Sequence, residues 1–207
     1  MEKKYRTEKE GNMLRIIALK DLPNVNIKKG YFGGLIEKED NLSHEGNCWV
    51  YENARVFGNA QVCDYAQVGG TAEVYGNAQI RGNAWVYDNA KVYDNARVYE
   101  TAWVYGDAMV YGRAQVFGDA EVFENAQAEG NAWIYGDAIV RGHAKISGNA
   151  KLYSTDRLSY VSTSIENNKD YVILGTKAGF HIFSTSATAI DYTKNIKTIR
   201  KLYGEKI

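Results

Sequence analysis

The 207-residue chain carries 25 basic and 25 acidic side chains, so its formal charge is zero and a strongly basic nucleic-acid binder is excluded. No stretch approaches the run of about eighteen apolar residues that a membrane span needs, and the amino end, MEKKYRTEKEGN, lacks the apolar core of a secretory signal, so the expected compartment is the cytosol. Two cysteines, Cys48 and Cys63, are too few for a disulfide framework and lack the clustering of a zinc site, which fits a reducing environment with no metal or other cofactor.

In chain order, residues 1–47 come first as a lead-in. They hold the apolar run MLRIIAL, a turn at 21–24, and a glycine-punctuated stretch, GYFGGLI, that reads as strand. GYFGG lacks the lysine and the following helix of a phosphate-cradling loop, so its glycines are expected at a tight turn before the first coil.

Residues 48–155 repeat with a period of six. An aliphatic residue returns at Val50, Val56, Val62 and every sixth position to Leu152, weakened only at Ala128, and a small residue, Cys48 or an alanine, stands two places before each. Neither helical periodicity nor simple strand alternation gives a strict six, and in the consensus V-Y-G-N-A-x a Gly or Asp followed by Asn supplies a turn in each unit. Each unit therefore predicts a short strand and a corner. Residue x, the aliphatic and the following aromatic form the strand with the aliphatic inward, while Gly and Asn provide left-handed corner conformations. Three units close a triangle, and about six stacked coils at ~4.8 Å give a prism roughly 28 Å long. Open ends would expose core and unpaired backbone, so both flanks are expected to be caps.

Residues 156–207 supply the second cap. YVILGTKAGFHIF reads as a hairpin with Lys177, Ala178 and Gly179 at its tip, and the spacing of Ile196, Ile199, Leu202 and Tyr203 predicts a helix from Thr193, capped by Asp191 or Thr193.

The units VYGNAQ, VYDNAK, VYGDAM and VFGDAE resemble the hexapeptide repeats of left-handed parallel β-helix proteins, the architecture of many bacterial acyltransferases, over about half the chain. The lead-in GYFGGLIEKEDNLSHEGNCWVYENARV before such repeats resembles a group of bacterial, phage and prophage proteins. The resemblance implies an all-β, left-handed parallel β-helix over 48–155, between a β-rich cap at 1–47 and a hairpin-plus-helix cap at 156–207.

Residues eighteen apart share a wall of the triangle. One wall should present Trp49, Tyr51, Trp85, Tyr87, Trp103, Tyr105 and Phe123, a second Phe57, Tyr75, Tyr93 and Tyr111, and a third Tyr99, Phe117, Trp133, Tyr135 and Tyr153. Stacked aromatics stabilise β-ladders, but a contiguous exposed aromatic surface marks an interface or ligand site. The Trp wall is expected to mediate self-association, as a trimer around a threefold axis or a twofold dimer, or else to hold a partner or small ligand. With 8 basic and 12 acidic residues over 48–153, the repeat region disfavours wrapping DNA or RNA.

Enzymes of the hexapeptide type commonly use a histidine base at a subunit boundary, beside a loop extruded from the helix. Here His143 is the candidate base, but it occupies an ordinary corner slot, and the unbroken register from Val50 to Leu152 leaves no extruded loop. The γ-class carbonic anhydrases of this fold bind zinc through three histidines, two closely spaced, whereas His44, His143 and His181 are far apart in sequence; His181, beside Phe180 and Phe183, reads as packing. Three functions stay open on these grounds. The first is a non-enzymatic oligomeric binding protein, for example a phage product that interferes with bacterial defence by sequestering a nucleotide signal or a protein partner. The others are a coenzyme A-dependent acyltransferase and a rigid structural spacer.

Overall fold

A six-residue unit can close a coil only if its corner reverses the chain within about two residues, which demands a left-handed backbone conformation. In the computed structural model this falls on the first corner residue: every sixth position from Glu52 to Gly148 has positive φ, filled by glycine or by one of the acids Glu52, Asp64, Asp88, Asp94, Glu100 and Glu124. The asparagine that follows does not share the role expected of it. Its side chain instead bonds to its counterpart one coil away, as in Asn59 to Asn77 (3.3 Å) and Asn77 to Asn95 (3.2 Å).

The structure describes residues 2–154 and, as backbone alone, the strands Ser159–Ile165, Lys169–Thr176 and Gly179–Ser184. The repeat folds as a parallel β-solenoid of about seven turns with three walls. The Trp wall stacks Trp49–Val50, Gln67–Val68, Trp85–Val86, Trp103–Val104, Glu121–Val122 and Ile139–Val140. A second wall, the ion-ladder wall, runs from Arg55–Val56 through Glu73–Val74 and Lys91–Val92 to Lys145–Ile146. The third, the arginine wall, runs from Gln61–Val62 through Gln79–Ile80 and Arg97–Val98 to Lys151–Ser154. Side chains one coil apart lie in register, so each inward valine meets the next along the axis. The inward aliphatic slots from Val50 to Leu152 are all buried, as are the alanines two places before them up to Ala144.

The first coil begins before the repeat does. Leu35 and Ile36 pair in parallel with Arg55 and Val56, Leu42 bridges to Val62, and Trp49–Val50 pairs with Gln67–Val68. Ile36 and Val56 are twenty residues apart but Val50 and Val68 only eighteen, so two extra residues within 43–49 break the period and hide this coil from a search for sixes.

Strands β1 (Tyr5–Glu10), β2 (Met13–Ala18) and β3 (Phe32–Ile36) form an antiparallel meander whose last member continues into the ion-ladder wall. The lead-in is thus rich in strand, but its residues from Leu35 onward belong to the first coil. Tyr5, Ile16, Leu22, Val25 and Ile27 extend the Val/Ala core over its open end. Asn41 is buried and stitches the join: its Oδ1 accepts from the N–H groups of Glu37 and Lys38, and its Nδ2 donates to the carbonyls of Gly58 and Ala60.

At the other end Lys169–Thr176 and Gly179–Ser184 pair antiparallel, and Gly179, expected at the hairpin tip, instead pairs with Thr176 as the first residue of its strand; Ser159–Ile165 adds a third strand that the sequence did not announce. Residues 177 and 178 of the hairpin tip and the helix expected from Thr193 lie outside the described residues. Among the described residues, no helix is long and apolar enough to cross a membrane.

Candidate functional site

On the Trp wall two columns of side chains face outward. The residues preceding the inward aliphatics are Trp49, Gln67, Trp85, Trp103, Glu121 and Ile139, and those following are Tyr51, Gly69, Tyr87, Tyr105, Phe123 and Arg141. The structure places all seven aromatics expected here on one wall but does not leave them all exposed. Trp49 is 0% exposed and meets Tyr5 edge-on at 6.3 Å, and Tyr51 is half-buried, with its hydroxyl donating to the carbonyl of Val25 at 3.2 Å. The amino-terminal cap folds over the top of the wall and removes this pair from any outer surface.

The accessible part is centred on Trp85 and Trp103, 36% and 47% exposed, whose rings stack at 5.4 Å and 13°. Tyr105 continues downward by stacking on Phe123 at 4.7 Å. Its hydroxyl donates to Glu121 at 3.0 Å, and burial followed by that carboxylate pushes the phenol up to about 12. Tyr87 leaves the ladder. It leans over Gly69, where any Cβ would collide with its ring, and donates to Glu52 at 3.1 Å. The gap between Tyr87 and Tyr105 opens a recess of about 290 Å³ lined by Trp85, Tyr87, Asp88, Trp103, Val104 and Tyr105. The sequence signal for this was the glycine in an aromatic slot at position 69, the only break in that column above Arg141. Below it, Thr101, Trp103, Asp119, Glu121, Asp137 and Ile139 line a more acidic groove of about 530 Å³.

The other walls use their aromatics differently. On the ion-ladder wall Phe57, Tyr75, Tyr93 and Tyr111 stack at 4.9 Å and within 3° of parallel, beside an ion pair ladder in which Glu73 joins Arg55 (3.5 Å) and Lys91 (3.3 Å). On the arginine wall Tyr99, Phe117 and Tyr135 stack in turn, and Lys151 sits 4.4 Å over Trp133.

His143 stands at an exposed corner and lines neither recess of the Trp wall. His44 stacks on Tyr5 at 4.2 Å, accepts the backbone N–H of Lys4 at its Nδ1, and is held below the usual histidine range by burial. For His181 the structure gives the strand position alone, opposite Leu174. Cys48 is buried and Cys63 half-buried, and burial pushes the Cys63 thiol up to about 11. Among the described residues no group of three or more His, Cys, Asp or Glu is placed to hold a metal ion.

Sequence reasoning missed Lys4. Its side chain is buried, and its ammonium donates to the Cys48 carbonyl (2.8 Å) and to the Cys48 Sγ (3.1 Å), with the carbonyls of Glu45 and Gly46 at 3.5 Å. Burial lowers its pKa against the opposing pull of Cys48. A lone lysine ahead of a strand carries no pattern that could have revealed this plug.

No protein-family model matches the chain, and no curated protein matches it.

Proposed function

We propose that this chain is a non-enzymatic, self-associating binding protein whose Trp wall closes on further copies of itself. The observation that carries the reading is the stacked, exposed pair Trp85 and Trp103 on a wall whose central surface bears no basic side chain between Trp49 and Ile139. Ion pairs occupy the neighbouring ion-ladder wall, so the Trp wall is the one where contact with a like surface removes apolar area without stranding ammonium or guanidinium groups. A flat wall suits packing around a threefold axis, with a twofold arrangement as the alternative.

With its top coil under the cap the wall offers roughly 24 Å by 17 Å, about 400 Å², which is about half of the ~800 Å² per partner of a standard stable interface, so association in the micromolar range is expected. Sedimentation equilibrium on the wild type and on a variant with Trp85→Glu and Trp103→Glu tests this. Both side chains point outward, so the core is untouched and the variant should fold but remain a monomer at concentrations where the wild type is a trimer or dimer. A monomeric wild type at about 100 µM, or a variant of unchanged mass, would overturn the proposal.

A further inference from the structure

The arginine wall carries a second recess, of about 380 Å³, lined by Asp64, Gln79, Arg81, Gly82, Arg97, Tyr99, Glu100 and Gln115. Its volume lies within the ~300–1,000 Å³ of small-molecule sites. Three independent features converge on it.

The first is a pair of guanidinium groups that the wall does not neutralise. Arg97 pairs across the strands with Gln79 on one side and Gln115 on the other, amides where the ion-ladder wall sets Glu73 between Arg55 and Lys91. Arg81 takes a slot held by aromatics in the next coils of its column, and its backbone N–H bonds to the Val98 carbonyl at 3.0 Å, which sets it one strand above Tyr99. Neither arginine has an ion-pair partner among the described residues. Both are exposed at the recess.

The second is an unfinished aromatic stack. Tyr99 lies on Phe117 at 4.8 Å and 5°, and Phe117 on Tyr135, but the stack ends at Tyr99 because the next member upward is Arg81. The described cation–ring contacts are Arg55 over Phe57 and Lys151 over Trp133, so Arg81 does not cover the Tyr99 face. The Tyr99 hydroxyl is fixed by donating to Gln115 Oε1 at 3.1 Å.

The third is the rim. Asp64 and Glu100 each hold a glycine N–H of the next coil, Gly82 at 3.0 Å and Gly118 at 2.8 Å, through one carboxylate oxygen. Among the described residues the other Glu100 oxygen accepts no hydrogen bond and is available to hydroxyl donors, while Asp64 also faces the Cys63 thiol. These carboxylates would repel a bare anion, whereas a ligand that presents hydroxyls beside its anionic group satisfies them.

We propose that this recess binds a nucleoside monophosphate, with the base extending the Tyr99 stack, the phosphate between Arg81 and Arg97, and the sugar hydroxyls donating to Asp64 or Glu100. Guanidinium groups match phosphate oxygens in charge and fork geometry, and an aromatic face accepts any base. The site lies on a different wall from the self-association surface and goes beyond that reading.

Isothermal titration calorimetry of the full chain with adenosine, guanosine, cytidine and uridine 5′-monophosphates, the four corresponding nucleosides and inorganic phosphate tests the proposal. At least one of the four monophosphates should bind with a dissociation constant below about 1 mM, with its nucleoside and inorganic phosphate about tenfold weaker or more. Arg81→Gln with Arg97→Gln should weaken that monophosphate about tenfold, and Tyr99→Leu should weaken it while leaving the response to phosphate unchanged. Glutamine already occupies the flanking positions of the Arg97 column, so the double variant should fold, as circular dichroism would verify. The Trp85→Glu, Trp103→Glu monomer should retain the binding, which separates this site from the interface. No saturable binding by any of the four monophosphates, or equal binding by the arginine double variant, would overturn it.

Discussion

Gly106 shows how one residue fixes a corner. Its φ is +68°, and a Cβ placed on it would lie 2.8 Å from the Glu124 nitrogen in the next coil. Its N–H is taken by Asp88 one coil earlier, at 3.1 Å. The same partnership recurs wherever an acid occupies the left-handed position: Glu52, Asp64, Asp94, Glu100 and Glu124 each accept the N–H of a glycine eighteen residues on. A left-handed conformation costs about 1–2 kcal/mol in a residue with a side chain, and a charge-assisted bond to backbone offsets it. Much of the acidity of the repeat region is therefore structural. Gly106→Ala should destabilise the chain by about 2 kcal/mol or more, whereas Gly11→Ala, at φ +59° with nothing within 4 Å, should cost only the conformational ~1 kcal/mol. Chemical denaturation of the two variants checks this, and equal losses would remove the crowding argument.

At the scale of elements, the cap and the walls differ in how far the sequence revealed them. The inward register was legible because one aliphatic every six residues leaves no other way to bury the set, and wall membership followed from spacing by eighteen. Burial of Trp49 was not legible, since it depends on Tyr5 arriving from a strand forty-four residues earlier. The first coil was hidden by its two extra residues, and Asn41 and Lys4 by the absence of any pattern around a single polar side chain. Arg81 was visible as a cation in an aromatic slot, but its meaning required Gln79 and Gln115 as cross-strand neighbours of Arg97. Lys4 ties the cap to the irregular first coil, and its loss would leave the Cys48 carbonyl without the ammonium that the structure gives it. Lys4→Ala should cost about 2–3 kcal/mol. Limited proteolysis should then cut within 1–47 before the repeat region. Unchanged stability would show that the ammonium is dispensable there.

The whole molecule should respond to alkali in a defined direction. Burial raises the phenols of Tyr5, Tyr51, Tyr75, Tyr87, Tyr93, Tyr99, Tyr105 and Tyr111 above the ordinary tyrosine value, and it raises Cys48 and Cys63 likewise. Between the ordinary value near 10 and the raised folded values, the unfolded chain loses protons that the folded chain keeps, so unfolding gains with pH. Lys4, lowered by burial, acts in the opposite sense between its folded value and the ordinary lysine value, but it is one group against eight phenols. The melting temperature followed by circular dichroism should therefore hold up to about pH 9 and fall progressively above about pH 10. A melting temperature that rises over that interval would contradict the burial of these ladders.

Assembly through the Trp wall is most directly read from the tryptophans themselves. Trp49 is buried, Trp133 half-buried, and Trp85 and Trp103 supply most of the exposed indole, so acrylamide quenching of tryptophan emission reports on the proposed interface. If copies meet on this wall, quenching should weaken as protein concentration rises through the association range, and the change should vanish when Trp85 and Trp103 are replaced by phenylalanine. Assembly detected by mass with quenching unchanged across the same range would place the contact elsewhere and contradict the account.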